Sequence, residues 1–441
     1  MDGSAPSILL PENWPFSLEL LPQPAYMVGG AVRDAILGRT GEYLDLDFVL
    51  PSDAVKVARK IATHYKAGFV LLDPQRQIAR VVFPHATVDF AQAEGACLET
   101  DLHRRDFTVN AIAYNPHTQE IIDPLKGCVD LEQRLLRMIS PTNLEDDPLR
   151  LMRAYRQASQ LAFTIEPATQ ATIRSLASHI TKVAAERVRV ELGYMLANPQ
   201  GSPWIVSAWQ DDLLAPFFKY ATQESVTLLA RIDQVASQLA EIWQQLGVEF
   251  AQYVRDTVKT SWLSIAKLAC LVNPEPETAE IELMELTYSR AEIKAVTIAL
   301  RLLPQLKVPQ MSLREQYFFF QEAGTVFPAI AVLAVAHDIA VEAISTDKPF
   351  GFAAPPCGKP SRRGTSPLHV YAPLITRYLN PDDLVAHPTA LVSGKDIMLA
   401  LNIPASPLVG KLLTEIAVAQ IEGKVSTAEQ AIEFAAGLLN C

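Results

Sequence analysis

The sequence predicts an α+β chain, with a small mixed sheet near the N-terminal end and helices from there to the C-terminus. Two patterns predict it. Between residues 26 and 125, short β-rich runs alternate with helical spacings and are separated by Gly, Pro and polar turns. From Leu144 onward, apolar residues recur three and four apart over long stretches. At roughly 100–200 residues per domain, 441 residues suggest about two to four domains. The pattern divides into a mixed segment 1–140, helical segments 141–200 and 201–347, and a linker with a helical end over 348–441, with no internal repeat of fixed period.

The elements follow in order. YMVGG (26–30) is a short strand running into a diglycine turn, and AVRDAILG (31–38) has helical spacing with Gly38 as its stop. LDLDFVL (44–50) alternates as a strand and ends at Pro51; residues 53–68 form an amphipathic helix. GFVLLD, ARVVF and ATVDF read as three further strands. Helices are predicted over 147–160, 168–176, 182–198, 222–245, 278–304 and 311–345, with a final pair over 407–422 and 427–439. The run 348–367, rich in Pro, Gly and Ser, is a loop or hinge; its Lys348, Lys359, Arg362 and Arg363, with no acid among them, suit a polyanion.

Composition excludes several classes. Five cysteines (Cys97, Cys128, Cys270, Cys357, Cys441) lie far apart with no C-x-x-C pair, which fits neither a disulfide framework nor a zinc ribbon and points to a reducing cytoplasm. The start, MDGSAPSILLPENWP, lacks the basic and apolar regions of a signal peptide. The uncharged, strongly apolar stretch Ala323 to His337 falls short of the about 20 residues that span a bilayer. With 38 Lys and Arg against 49 Asp and Glu the net charge is -11, so any nucleic acid must be held on a local basic face. The tryptophans Trp204, Trp209, Trp243 and Trp262 read as core, and Trp14 lies in an N-terminal arm of unassigned role.

Asp45 and Asp47 carry the first chemical signal. Two apart on an alternating strand, they project together while Leu44, Leu46 and Phe48 face the core. Paired carboxylates repel unless a cation lies between them, and Mg²⁺ favours one or two carboxylates plus substrate phosphates. Taken alone, such a pair is more often a solvated acidic strand face. In GGAVRD (29–34), Gly29 and Gly30 let backbone approach a phosphate, and Arg33 adds a charge. Strand, diglycine turn, helix and D-x-D together describe a nucleotidyltransferase head. Asp89 in ATVDF supplies a third carboxylate. In RRDFTVNAIAY (104–114), Arg104 and Arg105 suit a triphosphate, Asp106 a ribose hydroxyl, and Asn110 a phosphate or base edge. In DDPLRLMRAYRQA (146–158), Asp147 and Pro148 start a helix, and Arg150, Arg153 and Arg156 recur every third residue as a basic ridge. Asp147 and Arg150 can present an acceptor and a donor to a base edge, with Arg153 and Arg156 toward phosphate.

GGAVRD with its D-x-D, RRDFTVNAIA, DDPLR and AAERVRVEL (184–192) resemble, in order, the motifs of the class II tRNA nucleotidyltransferases, the CCA-adding enzymes and their bacterial poly(A) polymerase relatives. The resemblance is close over residues 24–195. It implies a polymerase-beta-like head (1–140), a neck that recognises the base (141–200), a helical body (201–347) and a tRNA-binding tail (348–441). It also implies nucleotide addition without a template, Mg²⁺ on Asp45 and Asp47, and base recognition by Asp147 and Arg150. Asp146 departs from the usual Glu-Asp pair. The tail, LVSGKDIMLALNIPASPLVGKLL (391–413), resembles the family with Ala405-Ser406-Pro407 where Pro-Gly-Pro is common.

The short segment from Phe90 to His103, between Asp89 and Arg104, lacks the flexible loop of members that add all three nucleotides. The expectation is therefore a CC-adding enzyme using CTP, with a separate enzyme adding the terminal adenosine. The alternatives are full CCA addition from CTP and ATP, A addition, or poly(A) polymerase. Outside the family, His337-Asp338 raises an HD-type phosphohydrolase, and loss of catalysis would leave an RNA-binding protein. His64, His85, His103, His117, His179, His369 and His387 show no ligand spacing.

Overall fold

Alternation of buried and open positions builds the sheet, and chain order builds its topology. The computed structural model describes residues 8–39, 41, 43–95, 97–255, 258–307, 311–346 and 368–439. The chain divides into two units, Met1–Met195 with Ser207–Leu213, and Leu196–Val206 with Leu214–Cys441. In the first, β1 (Tyr26–Val28), α1 (Gly30–Ile36), β2 (Leu44–Leu50), α2 (Ala54–Tyr65), β3 (Gly68–Asp73), β4 (Ile78–Phe83), β5 (Ala86–Gln92), α3 (Leu98–His103), β6 (Ala113–Asn115) and β7 (Glu120–Ile122) form the mixed part. The seven strands order as β3-β4-β5-β2-β1-β6-β7. Only β2 and β5 run parallel among these neighbours, which α2 makes possible as part of the crossover. This is the α+β class that the sequence predicts.

One sheet face is apolar. Leu46, Phe48, Val81, Val88 and Phe90 are buried there, and α2 packs on β4 and β5 with Ala54, Ala58 and Ile61 buried. The N-terminal arm closes this layer. Trp14 and Phe16 meet Phe48 edge-on, with ring centroids 5.0 and 5.8 Å away, and Phe48 stacks on Phe90 at 5.6 Å. Trp14 thus has a core role, with its indole N–H donating to the Ile8 carbonyl at 2.7 Å.

Helices then take over: α4 (Gly127–Glu132), α5 (Pro141–Asp146), α6 (Leu149–Leu161), α7 (Pro167–Leu176) and α8 (Ala185–Ala197), with a small parallel pair β8 (Leu135–Leu136) and β9 (Thr164–Ile165). Ser140 caps α5, its hydroxyl accepting from the Asn143 N–H, and Pro141 sits in the first turn. Asp147 stays extended and Pro148 opens α6.

In the second unit, two predicted helices are each two. The 278–304 stretch splits into Pro276–Glu285 and Arg290–Leu302 because Thr287 turns left-handed (φ 60) and Ser289 starts a capping box with Glu292. The 311–345 stretch splits at Gly324 (φ 46) into Leu313–Ala323 and Phe327–Thr346. A hairpin, Tyr253–Arg255 with Val258–Ser261, interrupts the helical half. The run Leu313–Asp338 is apolar and long enough to cross a membrane by composition, yet most of it is buried inside the fold. The hinge segment 348–367, with Lys348, Lys359, Arg362 and Arg363, lies outside the described residues, as do Cys357 and Cys441. Cys97, Cys128 and Cys270 are free thiols.

A buried cation staples this unit. Lys267, with no exposed surface, reaches Asp233 at 2.6 Å and donates to the carbonyls of Leu196 and Asn198, each at 3.1 Å. Burial pulls its ammonium below the usual range, against the opposing pull of Asp233. Lys267→Ala should cost about 3 kcal/mol, because it leaves Asp233 without its cation. Lys267→Met with Asp233→Asn should recover most of that loss, measured as the urea midpoint of the unit's unfolding.

Candidate active site

The parallel pairing of β2 and β5 decides which acids meet. Asp47 lies opposite Asp89, and Asp45 opposite Thr87, whose hydroxyl donates to Asp45 at 2.6 Å. From the other side, Arg80 of β4 lies opposite Asp89 and donates through Nε and Nη2 to both its oxygens, at 2.7 and 2.8 Å. Asp47 is pushed up from 3.8 to about 6, first by burial and then by the charges of Asp89 and Asp45, while Arg105 and Arg80 oppose the rise. Gly29, at φ 75, passes so close that a Cβ there would stand 3.3 Å from Asp47 Oδ2 and 3.4 Å from Arg105 Nη1. The diglycine turn therefore lies against the acids, as phosphate chemistry requires.

Two clefts flank these acids. One, of about 670 Å³, is lined by Gly30, Arg33, Tyr43, Asp45 and Asp47 among others. The second, of about 440 Å³, is lined by the arginines 76, 104, 105, 150 and 187 together with Glu94, Asp101, Asp146 and Asp147. Arg104 pairs with Glu94 at 3.0 Å and Arg105 with Asp101 at 3.1 Å. Arg150 Nη1 donates to the carbonyls of Arg104 and Asn143, at 2.9 and 2.8 Å, which fixes it beside the cleft. Asp147 accepts from the Leu149 N–H at 3.3 Å and faces Arg187 at 3.4 Å.

The donor chemistry suits a hard divalent cation. Asp45 and Asp47 offer carboxylate oxygen on one face, and burial, joined by the charges of Asp89 and Asp45, raises the Asp47 carboxyl. Among the described residues no group of three or more His, Cys, Asp or Glu side chains is arranged to hold a metal, and Asp89 is engaged by Arg80. Two carboxylates with substrate phosphates are the pattern that Mg²⁺ prefers over an all-protein cage.

Residues 25–137 match the family described as "Poly A polymerase head domain", and residues 162–224 match "Probable RNA and SrmB- binding site of polymerase A". A CC-adding tRNA nucleotidyltransferase of Synechocystis sp. is 46% identical over 429 residues, covering 97% of this chain and 96% of the relative. This chain belongs to the class II tRNA nucleotidyltransferases. It is an enzyme of that family. A CC-adding tRNA nucleotidyltransferase of Geobacter sulfurreducens is 30% identical, over 93% of this chain and 91% of its own. A solved CCA-adding enzyme with ATP shares the fold at a TM-score of 0.68, with 20% identity over 94% of this chain and 91% of that one.

Within this nucleotidyltransferase, the predicted residues fall into two groups. Asp45, Asp47, Gly29, Gly30, Arg104, Arg105, Asp147 and Arg150 line the clefts or lie against their acids. Asp106 and Asn110 do not reach an open surface; they are 5% and 6% exposed. Asp106 accepts from the Phe107 N–H, from Asn110 at 2.9 Å and from Arg153 at 3.0 Å. Burial pulls its carboxyl up, but Arg153, Asn110 and the Phe107 N–H outweigh it and hold it below the usual range. Asn110 in turn donates to Gln157 at 2.8 Å and accepts from Arg33 Nη1 at 2.8 Å. Asp106, expected at a ribose hydroxyl, and Asn110, expected at a phosphate or base edge, are thus held by protein partners in this structure.

The ridge also changes. Arg153 turns to Asp106, and Arg156 to Glu191 and to Gln160 at 2.6 Å, so the arginines at 150, 153 and 156 do not form one open row. Arg33 pairs with Asp34 at 2.9 Å while lining its cleft. The HD dipeptide gains no support: Asp338 accepts from the Tyr371 hydroxyl at 2.5 Å. Sequence reading missed Arg80, Asn143, Gln157 and Arg187. Gln157 and Arg187 lay inside quoted motifs, and Arg80 lay on the polar side of an alternating strand, so only Asn143 carried no signal.

Asp47→Asn should stabilise the nucleotide-free fold at pH 8. The carboxyl titrates higher in the fold than unfolded, so its favourable contribution is full below about pH 4 and lost as pH rises through about 6. The gain at pH 8 should be on the order of 2–3 kcal/mol by thermal or urea unfolding. Below about pH 4 it should vanish. Gly29→Ala should instead destabilise by about 1–3 kcal/mol through its positive φ.

Proposed function

We propose that this enzyme adds cytidines to the 3′ end of tRNA without a nucleic-acid template, taking CTP with Mg²⁺ at Asp45 and Asp47. The observation that carries it is the juxtaposition of those acids and Gly29 with an arginine-lined cleft, in a chain related along its length to CC-adding enzymes. The tRNA 3′-hydroxyl attacks the α-phosphate of the nucleotide, the new phosphodiester forms, and pyrophosphate leaves. Bound at Asp45 and Asp47, the cation would lower the pKa of the attacking hydroxyl and neutralise charge on the leaving group.

The chain's own residues do the rest. Arg104 and Arg105 exchange their Glu94 and Asp101 partners for triphosphate oxygens. Asp147, oriented by the start of α6, accepts from the exocyclic amine of cytosine, and Arg150 donates to its ring acceptors. Asp106, Asn110, Arg153 and Arg156 hold α6 and the Arg104-Arg105 segment in place rather than touching nucleotide. On this reading residues 1–140 supply the head, 141–200 the base-reading neck and 201–347 a helical body, while 348–441 bind tRNA, and the enzyme works in the cytoplasm.

The restriction to cytidine rests on the connector between β5 and α3. Strand β5 ends at Gln92 and α3 begins at Leu98, so little free chain is left to reshape the cleft for the larger adenine. A separate A-adding enzyme would then finish the end. With tRNA lacking its 3′ terminus, CTP and ATP, the product should end in CC. Adenosine added to tRNA already ending in CC would overturn the restriction. Asp45→Ala and Asp47→Ala should each lower incorporation at least about 1,000-fold with folding intact by circular dichroism. Arg150→Ala should reduce the preference for CTP over UTP and ATP more than it weakens tRNA binding.

A further inference from the structure

Arg80 answers to none of the motifs, yet it is the residue that engages both oxygens of Asp89. Three strands align the parts, with Arg80 on β4 opposite Asp89 on β5, and Asp89 opposite Asp47 on β2. The pairing is not what joins β4 to β5. Those strands are already in register from Ile78 to Phe83, with Ala79, Val81, Val88 and Phe90 buried on the other face. Arg80 is 38% and Asp89 17% exposed, so the ion pair sits at the edge of the acidic face, where it is only partly screened.

We propose that Arg80 is a resident counter-cation of the acidic face, a positioning residue that keeps Asp89 engaged and so sets how tightly Asp45 and Asp47 take a divalent cation. This rests on the reading of Asp45 and Asp47 as cation ligands. Guanidinium and divalent ion neutralise the same cluster, so the two compete through its charge. Without Arg80, Asp89 is free to turn toward Asp47 and the cluster gains a full negative charge. Without Asp89, Arg80 is left as an uncompensated positive charge beside the site. At separations of about 5–10 Å and an effective dielectric constant of about 20, either change should move divalent-ion affinity by about tenfold or more.

Mn²⁺ binding to the nucleotide-free, full-length enzyme tests it, read by electron paramagnetic resonance of free Mn²⁺. Arg80→Gln should tighten binding by about tenfold and Asp89→Asn should weaken it by a similar factor. The double variant should return to within about threefold of the unaltered enzyme. Arg80→Lys keeps the charge without the fork and should stay within about twofold. Turnover of Arg80→Gln should saturate at a lower metal concentration. Unchanged or weaker Mn²⁺ binding by Arg80→Gln, in protein whose circular dichroism and melting are intact, would overturn the proposal. If Arg80→Gln does not fold, Asp89→Asn decides alone, and unchanged or tighter binding there would overturn it. A failure of the unaltered enzyme to incorporate CMP would count against the polymerase reading while leaving the Mn²⁺ comparison intact.

Discussion

Repulsion between carboxylates on neighbouring strands is the constraint on which the head depends. Parallel pairing sets Asp47 directly opposite Asp89, at the roughly 4.8 Å spacing of adjacent strands, with Asp45 two residues along the same face. No fold gains stability from that arrangement by itself, and the Asp47 carboxyl, raised first by burial and then by Asp89 and Asp45, records part of the cost. The surroundings answer it locally. Arg80 neutralises Asp89, Thr87 donates to Asp45, and Arg105 comes near Asp47 past a glycine that has no side chain to obstruct it. The crossover through α2 and the β3-β4 hairpin are the topology that delivers Arg80 to the same face as the acids. On the proposed reading a divalent cation supplies the positive charge still lacking, so stability is given up where the chemistry needs it.

A second layer shows motif residues holding one another in place. Arg33, Asn110, Gln157, Asp106 and Arg153 form one connected polar network between α1, the turn before β6, and α6. Every link pairs donor with acceptor, which is what makes burial of Asp106 and Asn110 tolerable. Asn143 adds a second tie, donating to the carbonyls of His103 and Arg105, each at 2.7 Å, while its own carbonyl receives Arg150. Arg104, Arg105 and Arg150 are thus presented to the cleft from backbone that is held at both ends.

Local periodicity made much of this legible, and partner choice marks where it stopped. Alternation in β2 put Asp45 and Asp47 on one face, and Asp147 before Pro148 marked the start of α6, because both depend on near neighbours in sequence. Strand register does not, so Asp89 could be named as a candidate while its engagement by Arg80 could not be foreseen. An open ridge was inferred from the spacing of Arg150, Arg153 and Arg156, yet Asp106 and Glu191, distant in sequence, capture two of the three. In the second unit Thr287 carries no breaker signature, so its left-handed turn was not foreseen, although the Ser289-to-Glu292 capping box after it is a local pattern.

Net charge and binding chemistry point in opposite directions, and the cleft reconciles them. A chain with net charge -11 gains little from a polyanion at long range, so attraction must be short-range and geometric. Each of Arg104 and Arg105 already has a carboxylate, and Arg187 faces Asp147. On the proposed reading an incoming triphosphate exchanges one set of anions for another, and only a ligand that supplies several oxygens at the right spacing gains from the exchange. Single phosphates or loosely bound backbone would replace a partner without improving on it. Pairing the cleft arginines in advance thus turns a basic site into one that responds to the shape of its anion, which suits an enzyme that must choose a nucleotide with no template to direct it.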